Sequence, residues 1–375
     1  MGGLYLVADD LTGALDTAVA FSARHGPIPV FLDVPDESGL EHAAVNLGTR
    51  DADPDIASRK SAGVLRQLVR AGTPFKKIDS LLRGNWAPEL AVLLGDGGFR
   101  TCIFAPAFPG QGRITRNGRQ YVRAADHTER LLDVDPVAQM TRLGLRVAKV
   151  AAGTEPAPDV SAEGQARVLV ADAQSHEELR AVLRWAGQLE GPTLWCGSGG
   201  LARAMARREP NRLSSVPRPV LAIIGSNHTV SQAQIAYAAS WAPKRRVFAH
   251  GDPAKTGAAV GQAFDASGSA LLTFALPGGI SASDATREIR ERLTALLPLT
   301  PRPRMLVVAG GETLISVCRA LGASRLDVDA EFSPGVPRSR LADGAWPGIE
   351  IMSKSGAFGD ATLLHRMLAA GSGET

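Results

Sequence analysis

Short runs of apolar and β-branched residues alternate along this chain with longer stretches in which apolar residues recur every three or four positions. The short runs predict buried strands, and the longer stretches predict amphipathic helices. The predicted strands are residues 5–8, 29–32, 44–47, 75–78, 101–104, 168–171, 193–196, 220–224, 247–249, 271–274 and 305–309. The predicted helices are residues 13–24, 54–71, 87–94, 175–189, 200–208, 231–239, 283–296, 313–321 and 361–370. This alternation indicates an α/β fold with mainly parallel sheets flanked by helices.

The alternation is interrupted once, between residues 209 and 219. This stretch is polar and contains three prolines, which is typical of a linker. We therefore expect a domain over residues 1–208, a linker over 209–219 and a second domain over 220–375, with a cleft between the two domains. Small-molecule sites favour such clefts. Residues 327–360 are rich in proline and glycine and predict a strand-and-loop elaboration of the second domain.

Length and composition support two soluble domains and exclude several other classes. A chain of 375 residues is too long for one ordinary core, and 45% apolar with 21% charged residues is typical of globular proteins. The formal net charge is +3 without long runs of Lys or Arg, so we expect no nucleic-acid partner. No apolar segment is long enough for a membrane span, so we expect no membrane partner. Cys102, Cys196 and Cys318 lie far apart and predict neither disulfides nor a zinc site, which favours a cytoplasmic protein.

Two acidic residues follow the first predicted strand directly. Asp9 and Asp10 precede Thr12, Gly13 and the first predicted helix. Ligands of open α/β sheets bind beyond the carboxyl ends of the strands, and two carboxylates there lose hydration unless a cation or polyol hydroxyl groups meet them. A simpler interpretation is that one acid caps the helix. One acid would be enough for a cap, so we favour a ligand site.

Two further strand ends carry side chains suited to an organic acid. Asp79, Arg83 and Asn85 follow one predicted strand, and Arg113 lies in a Pro/Gly-rich loop after another. Arginine binds carboxylates through paired hydrogen bonds, and asparagine binds hydroxyl groups. Taken singly, these residues could also form a surface ion pair and a solvated rigid loop.

Four glycine-rich turns stand where strands give way to helices, at residues 196–200, 224–228, 309–313 and 354–360. Glycine lets backbone N–H groups approach an anion closely, and a helix N-terminus adds a favourable dipole. Three of these turns follow the linker, which favours a phosphate-rich ligand there. Ser226, Thr313 and Ser355 add hydroxyl groups, although helix capping explains Ser226 and Thr313 equally well. The chain contains neither a Walker A sequence nor a protein-kinase signature set, so a nucleotide would use another glycine geometry.

Together these segments resemble the four-carbon acid sugar kinase family, whose members phosphorylate threonate, erythronate or 3-oxo-tetronate with ATP. The resemblance rests on the order of the segments at residues 8–16, 77–85, 106–113, 197–199, 225–226, 309–313, 333–337 and 354–360. It implies a sugar-acid-binding N-terminal domain and a nucleotide-binding C-terminal domain. The chain departs from the family at Leu314 and Ile315, where members usually carry Ser-Gly, and at Leu81, where they usually carry Thr.

The resemblance also implies which residues contact each substrate. The expected nucleotide contacts are Ser226, Gly310, Gly311, Glu312, Thr313 and Gly356. The expected sugar-acid contacts are Asp9, Asp10, Asp79, Arg83 and Arg113, with Asn85 as a further candidate and the two arginines orienting the carboxylate.

Phosphoryl transfer depends on positioning and charge neutralisation, so we expect ATP with Mg²⁺ as cofactors. Glu312 or Asp360 would hold the ion, directly or through water. One of Asp9, Asp10 and Asp79 would accept the proton of the attacking hydroxyl, and we place Asp10 marginally before Asp79.

Two other functions remain open at this point. Residues 197–202 fit the pattern Gly-x-Gly-x-x-Ala, which occurs in nicotinamide-dependent oxidoreductases, but the acid expected about twenty residues later is missing. The departure at Leu314 and Ile315 fits a non-catalytic sugar-acid-binding protein. The sequence also leaves a homodimer open.

Overall fold

The computed structural model describes residues 3–35, 40–95, 98–124, 126–156, 166–249 and 251–370. The chain divides into two compact units, Met1–Glu209 and Pro210–Thr375. Most of the stretch predicted as a linker therefore belongs to the second unit, where Asn211–Arg212 form a short strand.

Strands and helices alternate through most of the first unit. Its strands are β1 (Leu4–Ala8), β2 (Ile28–Phe31), β3 (Ala43–Asn46), β4 (Thr73–Lys77), β5 (Thr101–Ala105), β6 (Arg113–Arg116), β7 (Arg119–Arg123), β8 (Glu129–Leu131), β9 (Arg146–Val150), β10 (Arg167–Ala171) and β11 (Thr193–Gly197). Its helices are α1 (Leu11–His25), α2 (Pro54–Arg70), α3 (Trp86–Gly95), α4 (Pro136–Arg142), α5 (His176–Ala186) and α6 (Gly199–Ala206).

A parallel sheet forms the centre of the first unit, in the order β2-β3-β1-β4-β11-β5-β10-β9. Its central strands are buried on both faces, which explains why their sequences are continuous apolar runs. Val7 and Phe104 of the sheet pack in one core with Trp86 and Leu90 of α3. A separate antiparallel sheet, β6-β7-β8, follows β5.

The second unit repeats the alternation. Its strands are β12 (Asn211–Arg212), β13 (Val220–Ile224), β14 (Arg246–Ala249), β15 (Ser269–Phe274), β16 (Met305–Ala309), β17 (Arg325–Ser333), β18 (Val336–Leu341) and β19 (Glu350–Lys354). Its helices are α7 (Thr229–Trp241), α8 (Pro253–Ser267), α9 (Ala282–Leu296), α10 (Gly311–Ala320) and α11 (Leu363–Ala369).

The sheet of the second unit has the order β14-β15-β13-β16-β19-β18-β17. It is parallel from β14 to β19, and β18 and β17 continue it as antiparallel strands. The elaboration predicted over residues 327–360 is therefore part of the sheet. Together the two units confirm the predicted α/β class with two domains and a mixed, mostly parallel sheet.

The apolar pattern missed the region from β6 to β9 and helix α8. The strands β6 to β8 are short and rich in Arg, so their period-two signal is weak. Helix α8 contains Gly257 and Gly261, which lower its helix propensity. A Cβ at Gly257 would lie 2.4 Å from the carbonyl oxygen of Leu299, so close packing requires glycine there. Tertiary packing thus determines this helix more than propensity does.

Candidate functional site

Four strand ends of the first unit lie side by side. Ala8 of β1 is in register with Lys77 of β4, Lys77 with Gly197 of β11, and Gly197 with Ala105 of β5. The residues that follow these four strands therefore meet at one edge of the sheet, where open α/β proteins bind ligands. Asp9 and Asp79 follow two of them directly or within two residues.

One arginine holds the first two acids at this edge. Arg50 donates Nε–H and Nη2–H to the carboxylate of Asp9, both at 2.8 Å, and Nη2–H to Oδ1 of Asp10 at 2.8 Å. Asp9 is almost fully buried, and one fifth of the Asp10 side chain is exposed. Burial opposes the charge of Arg50, but the carboxylates of Asp10 and Asp9 raise its pKa above its ordinary value. Arg50 is a site residue that the sequence analysis missed.

Asp10 caps helix α1, as the simpler interpretation of the sequence predicted. Its Oδ1 accepts a hydrogen bond from the backbone N–H of Gly13, which caps α1, while its Oδ2 accepts from Thr12 Oγ1 at 2.6 Å. A Cβ at Gly13 would lie 2.4 Å from Asp10 Oδ1 and 3.0 Å from Nζ of Lys77. Gly13 therefore leaves room for a carboxylate and an ammonium group at the same strand edge.

Asp79 pairs with the arginine that the sequence placed beside it. Arg83 Nε–H donates to Asp79 Oδ2 at 2.7 Å, and Nη2–H donates to Oδ1 at 3.0 Å. Burial works against the charge of Asp79, but the hydrogen bonds from Arg83 and the charges of Arg50, Arg83 and Lys77 lower its pKa from 3.8 to about 2. Asp79 is therefore ionised throughout the neutral range.

Arg113 lies within electrostatic reach of this pair. Burial lowers the pKa of its guanidinium group, and the charge of Asp79 opposes that effect. The backbone of Arg113 forms two hydrogen bonds with Phe108, at 2.8 and 3.1 Å, so the loop after β5 is closed. The structure thus brings together Asp9, Asp10, Asp79, Arg83 and Arg113, and it adds Arg50. We call this group the arginine–carboxylate site.

Asn85 has a different position in this arrangement. Its Nδ2 donates to the carbonyl oxygens of Thr49 and Ala52, at 2.8 and 2.7 Å. Both amide hydrogens therefore hold the turn that carries Arg50. A direct contact between Asn85 and substrate remains a prediction, and the structure supplies a positioning contact instead.

A buried ion pair lies among the strands and helices behind this turn. Lys76 Nζ is 2.7 Å from Glu89 Oε2, and both side chains are fully buried. Thr49 Oγ1 donates to the other oxygen of Glu89. Burial opposes the charge of Lys76, but Glu89 and then Asp9 raise its pKa. The sequence analysis had no signal for this pair, because Lys76 and Glu89 lie in elements that it described only as a strand and a helix.

The glycine-rich turn after β11 packs against protein. A Cβ at Gly200 would lie 2.4 Å from the carbonyl oxygen of Ala107, and one at Gly197 would lie 2.5 Å from that of Ala105. Ser198 Oγ donates to the Ala107 carbonyl at 2.7 Å and accepts from the N–H of Gly200. Gly197 and Gly200 therefore serve close packing against the end of β5 and the residues that follow it.

The three glycine turns of the second unit meet at one sheet edge. Ile224 of β13 is in register with Ala309 of β16, and Ala309 with Lys354 of β19. The turns that follow these strands are therefore neighbours. A Cβ at Gly356 would lie 2.2 Å from Ser226 Oγ, and a Cβ at Gly225 would lie 2.4 Å from Thr313 Oγ1. We call residues 225–226, 310–313 and 355–356 the glycine-turn site.

Backbone conformation adds to this close approach. Gly310 has φ of 103°, in the region that favours glycine, and a Cβ there would lie 3.3 Å from Thr313 Oγ1. Helix α10 starts at Gly311 without a side-chain cap, so its first N–H groups point to the turn. Ser226, Gly310, Gly311, Thr313 and Gly356 thus line one edge with hydroxyl and amide groups, which suits phosphate oxygens.

The two predicted metal ligands differ in their surroundings. Asp360 accepts hydrogen bonds from Thr362 at 2.8 and 2.6 Å and forms an ion pair with Arg366 at 2.9 Å. The hydrogen bonds from Thr362 and the charge of Arg366 lower the pKa of Asp360. Glu312 lies in the first turn of α10, within the glycine-turn site. Over the described residues, no cluster of three His, Cys, Asp or Glu side chains is placed to hold a metal ion.

Lys354 is an unusual neighbour of these turns. Its side chain is almost fully buried, and Nζ–H donates to the carbonyl oxygen of Ser355 at 2.9 Å. Burial lowers the pKa of this amine from 10.5 to about 8. The sequence analysis placed Lys354 in a glycine-rich segment without a role.

No helix in the described part of the chain is long and apolar enough to cross a membrane.

Comparisons with known proteins match two different domain families to the two parts of the chain. Residues 4–205 match the model of a sugar-binding N-terminal domain, and residues 221–364 match that of a nucleotide-binding C-terminal domain. The chain is 31% identical to the D-threonate kinase of Bordetella bronchiseptica over 99% of this chain and 98% of the relative. It is 30% identical to the D-threonate kinase of Cupriavidus necator over 96% of both chains. A solved Haemophilus influenzae structure shares the fold, with a TM-score of 0.68, 19% identity and coverage of 97% of this chain and 99% of that one.

Proposed function

The chain belongs to the four-carbon acid sugar kinase family, and we propose that it transfers the γ-phosphate of ATP to a hydroxyl group of D-threonate. The two relatives named above, 30% and 31% identical over nearly their full lengths, are D-threonate kinases, which favours this acid over other four-carbon acids. The observation that carries the proposal is that each domain has its own site: a charged site lies in the domain that matches the sugar-binding model, and a site of glycine turns lies in the domain that matches the nucleotide-binding model.

The arginine–carboxylate site would bind the sugar acid. Arg83 is more than half exposed although it pairs with Asp79, so its guanidinium group retains N–H donors for a substrate carboxylate. Arg113 would provide a second cationic contact. Asp9 is buried and bound on both oxygens by Arg50, which suits it to orient Arg50 rather than to contact substrate.

Asp10 is our candidate for the group that accepts the hydroxyl proton. Its carboxylate is partly exposed, whereas Asp79 has a pKa of about 2 and is bound by both arms of Arg83. A carboxylate that is so strongly stabilised as an anion is a weak base. Asp79 would instead hold Arg83 toward the substrate.

The glycine-turn site would bind the phosphates of ATP through backbone N–H groups and the hydroxyls of Ser226 and Thr313. ATP is used by kinases together with Mg²⁺, which neutralises charge on the phosphates. Mg²⁺ commonly binds one or two carboxylates together with phosphates and water, so a single acid fits. Glu312, in the first turn of α10 within the glycine-turn site, or Asp360 would hold the ion, directly or through water. A homodimer stays a prediction that light scattering tests.

The test is a coupled assay of ADP release with D-threonate, D-erythronate and 3-oxo-tetronate as separate substrates. We expect the highest kcat/KM with D-threonate. Asp10→Asn should lower kcat on the order of a hundredfold, whereas Asp79→Asn should mainly raise KM for the acid. ADP release that is independent of the acid, or an Asp10→Asn protein with unchanged kcat, would contradict these assignments.

The same assay separates the proposal from a non-catalytic sugar-acid-binding protein. That alternative predicts binding of D-threonate by calorimetry without release of ADP. The hydroxyl groups of Ser226 and Thr313, present together at the edge where Leu314 and Ile315 follow, argue for a retained nucleotide site.

A further inference from the structure

A buried glutamine bridges the two loops of the arginine–carboxylate site. Gln120 of β7 is fully buried, and its Nε2 donates to the carbonyl oxygens of Ser80 and Pro106, at 3.0 and 3.2 Å. Ser80 follows Asp79 after β4, and Pro106 begins the loop that leads from β5 to Arg113. One side-chain amide therefore joins the loops that carry an acid and an arginine of the site.

This bridge connects loops that the main sheet does not connect. Strand β11 lies between β4 and β5, so no backbone ladder joins the ends of these two strands. Thr115 Oγ1 donates to Gln120 Oε1 at 2.7 Å, which fixes the amide so that its NH₂ group faces the two carbonyls. Thr115 is itself fully buried and is joined to Ala173 by two backbone hydrogen bonds.

A second buried glutamine binds one of the loops at the glycine-turn site. Gln234 of α7 is almost fully buried, and its Nε2 donates to the carbonyl oxygens of Phe358 and Asp360, at 3.1 and 2.8 Å. These carbonyls belong to the loop that follows Gly356. Ser231, nearly one turn earlier on the same helix, donates to the carbonyl of Gly356 at 2.8 Å. Helix α7 therefore fixes the last of the three glycine turns.

We propose that Gln120 and Gln234 are positioning residues, each for one substrate of the reaction. Gln120 holds the loops of Asp79 and Arg113 at the separation that the sugar acid requires, and Gln234 holds the Gly356 turn against the ATP phosphates. The inference rests on the proposed function for the identity of the two substrates. Methionine has nearly the volume of glutamine but no N–H donor, so it removes the hydrogen bonds to both carbonyl oxygens and releases their loops.

The experiment compares Gln120→Met with Gln234→Met, and each variant serves as the matched control of the other. Steady-state kinetics give KM for D-threonate and for ATP, and calorimetry gives Kd for the ATP analogue AMP-PNP. We expect Gln120→Met to raise KM for D-threonate about tenfold with KM for ATP nearly unchanged. We expect Gln234→Met to raise KM for ATP and Kd for AMP-PNP by a similar factor, with KM for D-threonate nearly unchanged.

A merely structural role predicts a different result. Each Gln→Met variant would then lower the unfolding temperature and either change KM for D-threonate and KM for ATP by the same factor or leave both KM values unchanged. Either result overturns the proposal. Combining Gln120→Met with Arg113→Met adds a second criterion. Because Gln120 acts through the Arg113 loop, the double variant should raise KM for D-threonate by less than the product of the single effects.

Folding and substrate identity are controlled separately. Thr115→Val removes only the hydrogen bond that orients the Gln120 amide, and it should raise KM for D-threonate in the same direction by a smaller factor. Thr115→Val replaces Gln120→Met in the test if Gln120→Met does not fold. An unchanged KM for D-threonate in Thr115→Val then overturns the role of Gln120. If wild-type protein does not use D-threonate, the proposed function fails, while AMP-PNP binding to Gln234→Met still decides the role of Gln234.

Discussion

The two sites are built from opposite materials. The arginine–carboxylate site consists of charged side chains that bind one another, with Arg50 joined to Asp9 and Asp10, and Arg83 joined to Asp79. The glycine-turn site consists of backbone and small hydroxyl groups that nearly touch where glycines lack a Cβ. Both lie at the carboxyl ends of parallel strands, so the same position in an α/β sheet carries charged side chains in one unit and backbone groups with hydroxyls in the other.

This difference determines how each site fails. In the first site, removal of one ionic partner leaves the other charge buried without compensation. In the second site, addition of a single methyl group displaces a neighbouring turn. The first site is therefore sensitive to the loss of atoms and the second to their gain.

The largest effect is expected for Arg50→Met. Asp9 would then be buried without the partner that binds both of its oxygens, and removal of one partner from a buried pair typically destabilises a protein by about 3–5 kcal/mol. Urea denaturation measures the change in the free energy of unfolding. Binding of D-threonate should be lost as well, because Asp10 also loses its contact with Arg50.

The double variant Asp9→Leu with Arg50→Met is the control. It removes both charges, so it should regain much of the stability that the single variant loses, while activity stays low. Equal stability of the single variant and the wild type would show that this ion pair does not hold the site.

A smaller effect is expected for Gly356→Ala in the second site. The new Cβ would lie 2.2 Å from Ser226 Oγ, so one of the two turns has to move. A displacement of about 1 Å in a positioned site can reduce activity about a hundredfold. Calorimetry should show weaker binding of AMP-PNP, with binding of D-threonate unchanged.

Gly278→Ala is the matched control for this change. Gly278 is exposed, and a Cβ there would meet no atom within 4 Å. Nucleotide binding should therefore remain as in the wild type. If Gly356→Ala binds AMP-PNP as tightly as Gly278→Ala, the close packing of the turns has no part in nucleotide binding.

The smallest effect concerns the buried cation beside the glycine turns, and it depends on pH. Lys354 has a pKa of about 8 in the folded chain and an ordinary value of 10.5. Between these values the unfolded chain holds a proton that the folded chain releases, so the free energy of unfolding rises with pH in this range. Lys354→Met should abolish that rise and increase stability at pH 7 by about 2 kcal/mol.

Urea denaturation of Lys354→Met and wild type at several pH values between 7 and 10.5 measures this contribution. A wild-type stability with the same pH dependence as the variant would show that Lys354 is not desolvated in the folded protein.

The sequence predicted the strand ends well because two-sided burial makes parallel strands continuous apolar runs, as in β1 and β16. It also predicted the location of Asp10, Asp79 and Arg83 beside those ends, while their roles stay predictions. It could not predict Arg50, whose partners lie about forty positions earlier in the chain. Gln120 escaped for a related reason, because its hydrogen bonds join two loops through a small sheet with a weak pattern.

The close contacts among the glycine turns also bear on how this protein can change over generations. Gly356 faces Ser226, and Gly225 faces Thr313, so each small residue is adapted to a particular hydroxyl on a different turn. A larger residue at one position is harmful unless its partner shrinks at the same time. Single substitutions at these positions are therefore rarely tolerated during evolution, because the two residues of each pair have to change together.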